Sequence, residues 1–144
     1  MSTRIKMNQA VPEGYKAMIE FDKYLASTNI APLHKELIKI RASQINGCAY
    51  CVDMHSRDAR KLGETEQRIF ALTVWRDTPF FSPEERAILA LTEEVTLIHQ
   101  HVSDATYAEV AKYFDEKTIG RLIMAIIIIN AWNRIGISTH MMPA

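Results

Sequence analysis

The chain has two cysteines, three positions apart in the run Gly47-Cys48-Ala49-Tyr50-Cys51, and His55 follows four residues later. On a helix, residues three or four apart share a face. The two sulfurs can therefore close a disulfide. The imidazole can reach the second sulfur directly or through one water. Asn46-Gly47 breaks a helical pattern just before the pair, so a new helix is expected to begin at about residue 47 or 48. Cysteines in a first turn face unpaired N–H groups and the positive end of the helix dipole. Both favour the thiolate, which is the nucleophile, over a thiol whose free pKa is ~8.5. His55 is spaced to take the Cys51 proton and to return one later. These parts define a reaction. A thiolate attacks a peroxide O–O bond and becomes a sulfenic acid, the neighbouring thiol condenses with it to a disulfide, and an outside dithiol reduces that disulfide by exchange.

Other uses of such a pair make demands that can be checked against the sequence. A structural zinc site closes with four ligands. Here His55 and one of Glu36, His34, His99, His101 or His140 would have to join the cysteines, because there is no second Cys-x-x-Cys. An inert buried pair would leave His55 and the helix start without a purpose. A thioredoxin-like protein would surround the motif with a βαβ pattern, and none is present. The expectation is a thiol site with no metal and no cofactor.

The elements that must hold this site all read as helices. Pro12 and Pro32 open helices over about 12–27 and from 32 to the mid-forties. The cysteine helix should stop at Gly63, after Arg60 and Lys61. A short helix is expected over about 65–75. Ser82-Pro83-Glu84-Glu85 is a capping box with proline in the first helical position, and Ser103-Asp104 opens another helix to about 114. The last helix runs from about 116 to 135, with Gly136 ending it. Its Ile126–Ile129 run is β-branched but lies in a helix-length segment without turn residues. A helix apolar nearly all round needs cover on several sides. It is either one central core helix or partly covered by another subunit, and Asn130 within it should find a hydrogen-bond partner.

The bulk composition agrees with a single all-α domain over residues 1–144. Apolar residues make up 48%, enough for a core without staples, and 17 basic residues balance 17 acidic ones. Zero formal net charge gives no electrostatic footprint for nucleic acid and little charge to keep copies apart. The N-terminal residues lack a signal-peptide core. No run reaches the roughly 20 apolar residues of a membrane span, so the chain reads as cytoplasmic.

The stretch from Glu36 through Cys48-Ala49-Tyr50-Cys51 to His55 resembles the core of the AhpD-like alkylhydroperoxidases, in the carboxymuconolactone decarboxylase superfamily. Ile129-Asn130-Ala131-Trp132-Asn133-Arg134 is similar to that family's last helix. The resemblance implies an all-α fold of about six to seven helices around a helical hairpin, assembled as trimers or hexamers. It implies that Cys51 attacks the hydroperoxide, Cys48 resolves, His55 activates Cys51, and Glu36 orients His55 or relays its proton. It also implies an external dithiol reductant, such as a dihydrolipoyl protein. One position departs from the family: Tyr50 stands where the best-studied peroxidases carry a second histidine. A phenol with a pKa near ~10 is a poor proton relay at neutral pH. The alternatives are therefore a redox-responsive or ligand-binding member with little turnover, or a member of the decarboxylase branch, which generally lacks the cysteine pair.

Overall fold

Proline and capping side chains start most of the helices at the expected places. A computed structural model describes residues 3–144. The described residues form α1 (Met7–Ala10), α2 (Pro12–Ser27), α3 (Pro32–Asn46), α4 (Ala49–Lys61), α5 (Glu66–Ala71), α6 (Pro83–Thr96), α7 (Asp104–Ala111) and α8 (Glu116–Ser138), and no strand. Pro12, Pro32 and Pro83 each occupy the first turn of their helix, where the missing N–H costs nothing. At Ser82 the capping box is complete: the Ser82 hydroxyl accepts from the Glu85 N–H at 3.2 Å, and the Glu85 carboxylate accepts from the Ser82 N–H at 2.9 Å.

Three details differ from the sequence expectation. The four-residue α1 has no side-chain cap and carried no readable signal. The segment expected as one helix over 65–75 is α5 followed by a 3-10 segment, Leu72–Asp77, kinked at Val74. The last helix does not end at Gly136. It runs through it to Ser138, and Gly136 is buried.

The α3–α4 hairpin is the centre of the architecture, and α3 also packs against α6 and α8. Residue period explains how. Ile38 and Ala42 of α3 face a core cluster shared with α2, α6, α7 and α8, whereas Leu37 and Ile40 face a second cluster with Ile69, Leu72, Trp75, Phe81 and Leu89. One helix thus joins two cores, which lets a long α8 bury Ile119, Leu122, Ala125, Ile126, Ile128 and Ile129 in the first of them. Each such leucine or isoleucine contributes about 1.5–3 kcal/mol of hydrophobic burial. Ile127 and Ile137 remain exposed, so α8 is mainly a core helix with a partly uncovered side. By length and composition alone α8 would suffice to cross a membrane, although Arg121, Asn130, Asn133 and Arg134 interrupt its apolar residues and no continuous apolar run of that length exists. Its buried side chains belong to this core.

Candidate functional site

The αL conformation of Gly47 (φ 75°) ends α3, a geometry that costs a glycine little. The chain turns directly into Cys48, which is the N-cap of α4. Cys51 then falls in the third helical position and His55 one turn further on, all three buried. Cys48 and Cys51 are joined as a disulfide, with Cα atoms 5.3 Å apart. The cap places the sulfurs unequally. The Cys51 N–H donates to Cys48 Sγ at 3.3 Å, so the helix terminus serves Cys48 more directly than Cys51. The sequence reading had the first turn favouring both.

Glu36 reaches this group from α3. Its Oε2 lies 3.0 Å from His55 Nδ1, and Lys39 Nζ donates to its Oε1 at 3.3 Å. An ionised Glu36 accepts the Nδ1 proton and leaves Nε2 with the lone pair, the arrangement a general base requires. All four residues expected from the sequence, Cys48, Cys51, His55 and Glu36, thus meet around the start of α4. Among the described residues, Glu36, His55 and Asp58 also present ligand atoms within 4.8 Å of one another. Any metal held there would use two carboxylates and one imidazole, a different set from the cysteine-based site weighed above.

Cys51 and His55 line a cavity of about 560 Å³ that also touches Glu36, Tyr50, Trp132 and Gly136. Cys48 does not line it. Trp132 is fixed by donating to Asp22 at 2.9 Å and by an edge-on contact with Tyr15, ring centroids 5.5 Å apart. The wall is mostly apolar, apart from Asp22, Lys35, Lys39, Glu36 and His55. Burial lowers the Lys35 ammonium below its usual range, nearby Lys39 adds to this, and Glu36 opposes both.

Two parts of the site escaped the sequence reading. Gly136 of α8 faces the disulfide so closely that a Cβ there would lie 3.1 Å from Cys48 Sγ and 3.7 Å from Cys51 Sγ. Its one signal was a glycine inside an apolar helix, which marks a close approach as readily as an end. Asn46, read as a helix breaker, also ties the cysteine turn to α8. Its Nδ2 donates to the side-chain oxygens of Asn130 and Asn133, both at 2.9 Å. Asn133 donates in turn to Ser43 Oγ, and Asn130 to Thr96 Oγ1. Asn130 therefore has its partners within one chain. Tyr50 lines the cavity beside the disulfide, and His34, His99, His101 and His140 are not among the residues that line it.

Comparison with known proteins gives a consistent picture. Residues 12–94 match the carboxymuconolactone decarboxylase family. The uncharacterised protein YdfG of Bacillus subtilis is 48% identical over 139 residues, covering 96% of this chain and 95% of that one. A solved protein of unknown function from Agrobacterium tumefaciens, proposed there as the antioxidant-defence protein AhpD, is 37% identical. It superimposes with a TM-score of 0.96 over 99% of both chains. The debrominase Bmp8 shares the fold at 22% identity, with a TM-score of 0.83 over 92% of this chain and 72% of its own.

Proposed function

The chain belongs to the carboxymuconolactone decarboxylase family, in its AhpD-like group, and on that premise we propose that it reduces organic hydroperoxides through a Cys48/Cys51 dithiol–disulfide cycle. The observation that carries the reading is the asymmetry of the sulfurs: Cys51 lines the cavity with His55, and Cys48 lies behind it at the helix cap.

The cycle has three balanced steps. His55 removes the Cys51 proton, and the thiolate attacks the distal peroxide oxygen. The O–O bond breaks, His55 returns the proton to the departing alkoxide, and Cys51 sulfenic acid and an alcohol result. Cys48 then attacks the sulfenic sulfur and releases water, forming the disulfide. Finally one thiolate of an external dithiol attacks Cys51, the sulfur open to the cavity, and expels Cys48 as the leaving thiolate; the dithiol's second thiol then attacks the mixed disulfide and releases Cys51 and the oxidised dithiol. A lower-pKa thiol leaves faster, and the Cys51 N–H directed at Cys48 Sγ stabilises that departing charge. The helix terminus thus serves the recharging step, and His55 the peroxide step. Glu36 holds His55 in the required tautomer.

The test is hydroperoxide consumption with dithiothreitol as reductant. The parent protein turns over. Cys51→Ser loses the activity, and Cys48→Ser forms the Cys51 sulfenic acid at once but, lacking the resolving thiol, sustains turnover more slowly than the parent. Equal consumption by Cys51→Ser and the parent removes the assignment. A disulfide that forms and reduces reversibly without catalytic consumption identifies a redox-responsive protein instead.

A further inference from the structure

The cavity is far larger than the reaction alone requires. A volume of about 560 Å³ falls in the range of pockets that enclose a whole organic ligand, whereas hydrogen peroxide is scarcely larger than a water. Its apolar wall, including Ile19, Leu25, Ile128 and Trp132, suits a hydrocarbon body. The charged groups in the wall are also unevenly satisfied. Asp22 is engaged by Trp132 Nε1. Lys39 is paired with Glu36, and Glu36 with His55. Lys35 is the one ammonium of the wall without a carboxylate partner among the described residues: its Nζ donates only to the Thr28 carbonyl, at 3.3 Å, and Asp22 is held by the neutral Trp132 indole.

Lys35 and Lys39 are four apart on α3 and so share a face. The half-buried Lys35 ammonium therefore meets a second positive charge as well as partial desolvation, and both lower its affinity for its proton. A bound anion would offset both costs.

We propose that the cavity selects amphipathic hydroperoxides bearing a carboxylate, with the apolar body along Trp132 and the α8 isoleucines, the carboxylate on Lys35, and the peroxide at Cys51. This rests on the peroxidase reading and names its substrate class. Separating head and peroxide by an apolar body keeps the substrate's negative charge away from the Cys51 thiolate. A charge-assisted hydrogen bond in a partly desolvated site is about twice as strong as a neutral one, which sets the expected discrimination at about tenfold.

Two measurements test it. In turnover, 4-carboxycumene hydroperoxide is compared with its methyl ester. The acid is expected to have about tenfold higher kcat/KM in the parent protein, a ratio that collapses toward one in Lys35→Gln and returns in Lys35→Arg. In binding, octanoate and 1-octanol are titrated calorimetrically into the disulfide form, which needs no turnover. Octanoate is expected to bind about tenfold more tightly, again through Lys35. A parent that does not distinguish acid from ester, or octanoate from octanol, overturns the inference, as does a Lys35→Gln protein that keeps the preference. Consumption of the ester without preference for the acid leaves the peroxidase reading standing and this inference refuted. If no hydroperoxide is consumed, the peroxidase reading fails, and octanoate binding alone decides whether the cavity is an anion site.

Discussion

Glu36 with His55 and Lys39, and Glu64 and Glu85 with Arg68, are two buried clusters that hold the same kinds of charge under different constraints. Arg68 meets both of its carboxylates in two-pronged contacts, at 2.8 and 3.2 Å to Glu64 and 2.8 and 3.1 Å to Glu85. It also donates to the Phe80 carbonyl and lies 4.7 Å over the Phe81 ring. The planar guanidinium suits such a closed arrangement and its charge is permanent, while His34 lies at the edge of the cluster with Nε2 3.9 Å from Glu85 Oε1. Glu36 instead makes one contact with each of two partners. One partner is an imidazole, a group suited to general acid–base work, and the cluster opens onto the cavity. The Arg68 cluster ties α5 to α6. The Glu36 cluster has the groups that the proposed cycle uses.

The contrast can be broken first at Arg68. Arg68→Ala strands two buried carboxylates, and breaking such a pair costs roughly 3–5 kcal/mol. The urea midpoint should fall accordingly, while hydroperoxide turnover per folded molecule stays near the parent value. A loss of turnover without a loss of stability would mean that the two clusters are not separate in function. Glu36→Gln should do the reverse. Its shape is kept but its charge is lost, so turnover is expected to fall on the order of 10–100-fold with a smaller change in the urea midpoint. Unchanged turnover would remove Glu36 from the site.

Gly136→Ala sharpens the comparison at the sulfurs. The added methyl must displace Cys48 Sγ or α8, and such overpacking typically costs about 1–3 kcal/mol. The disulfide form should lose stability, by thermal denaturation, and an undiminished melting temperature would show that the contact relaxes freely. The smallest effect lies in acid. Burial pushes the Glu85 carboxyl up, but hydrogen bonds from Arg68 and the Ser82 N–H, with the Arg68 charge, outweigh it and hold the group below its ordinary 4.5. A depressed carboxyl contributes stability that is present above the ordinary value and is lost as pH falls through the lower, folded-state value. Urea midpoints of the parent and Glu85→Gln should therefore converge as pH falls below about 4.5. A gap that stays constant would assign the contribution to something other than ionised Glu85.

What was legible in the sequence was local. Pro12, Pro32, the Ser82 box and Ser103 are start signals that act within a few residues of themselves, and the structure follows each of them. The grouping of Cys48, Cys51 and His55 was likewise a matter of spacing on one helix. Glu36 was not legible from spacing, because it meets His55 from another helix, 19 residues away. It entered only through the family resemblance. Gly136 and the Asn46–Asn130–Asn133 ties lie 84 or more residues from the turn they hold. No period connects such positions, and the packing of α8 on the hairpin is what brings them together. The uncapped, four-residue α1 had no pattern to read.

The central claim is that the two sulfurs divide the work, Cys51 attacking and Cys48 resolving. It is tested most directly by treating the reduced single-cysteine variants Cys48→Ser and Cys51→Ser with one equivalent of cumene hydroperoxide and dimedone, and following the adduct by mass spectrometry. The account predicts rapid labelling of Cys51 in Cys48→Ser and slow or no labelling of Cys48 in Cys51→Ser. Equal or faster labelling of Cys48 would contradict it.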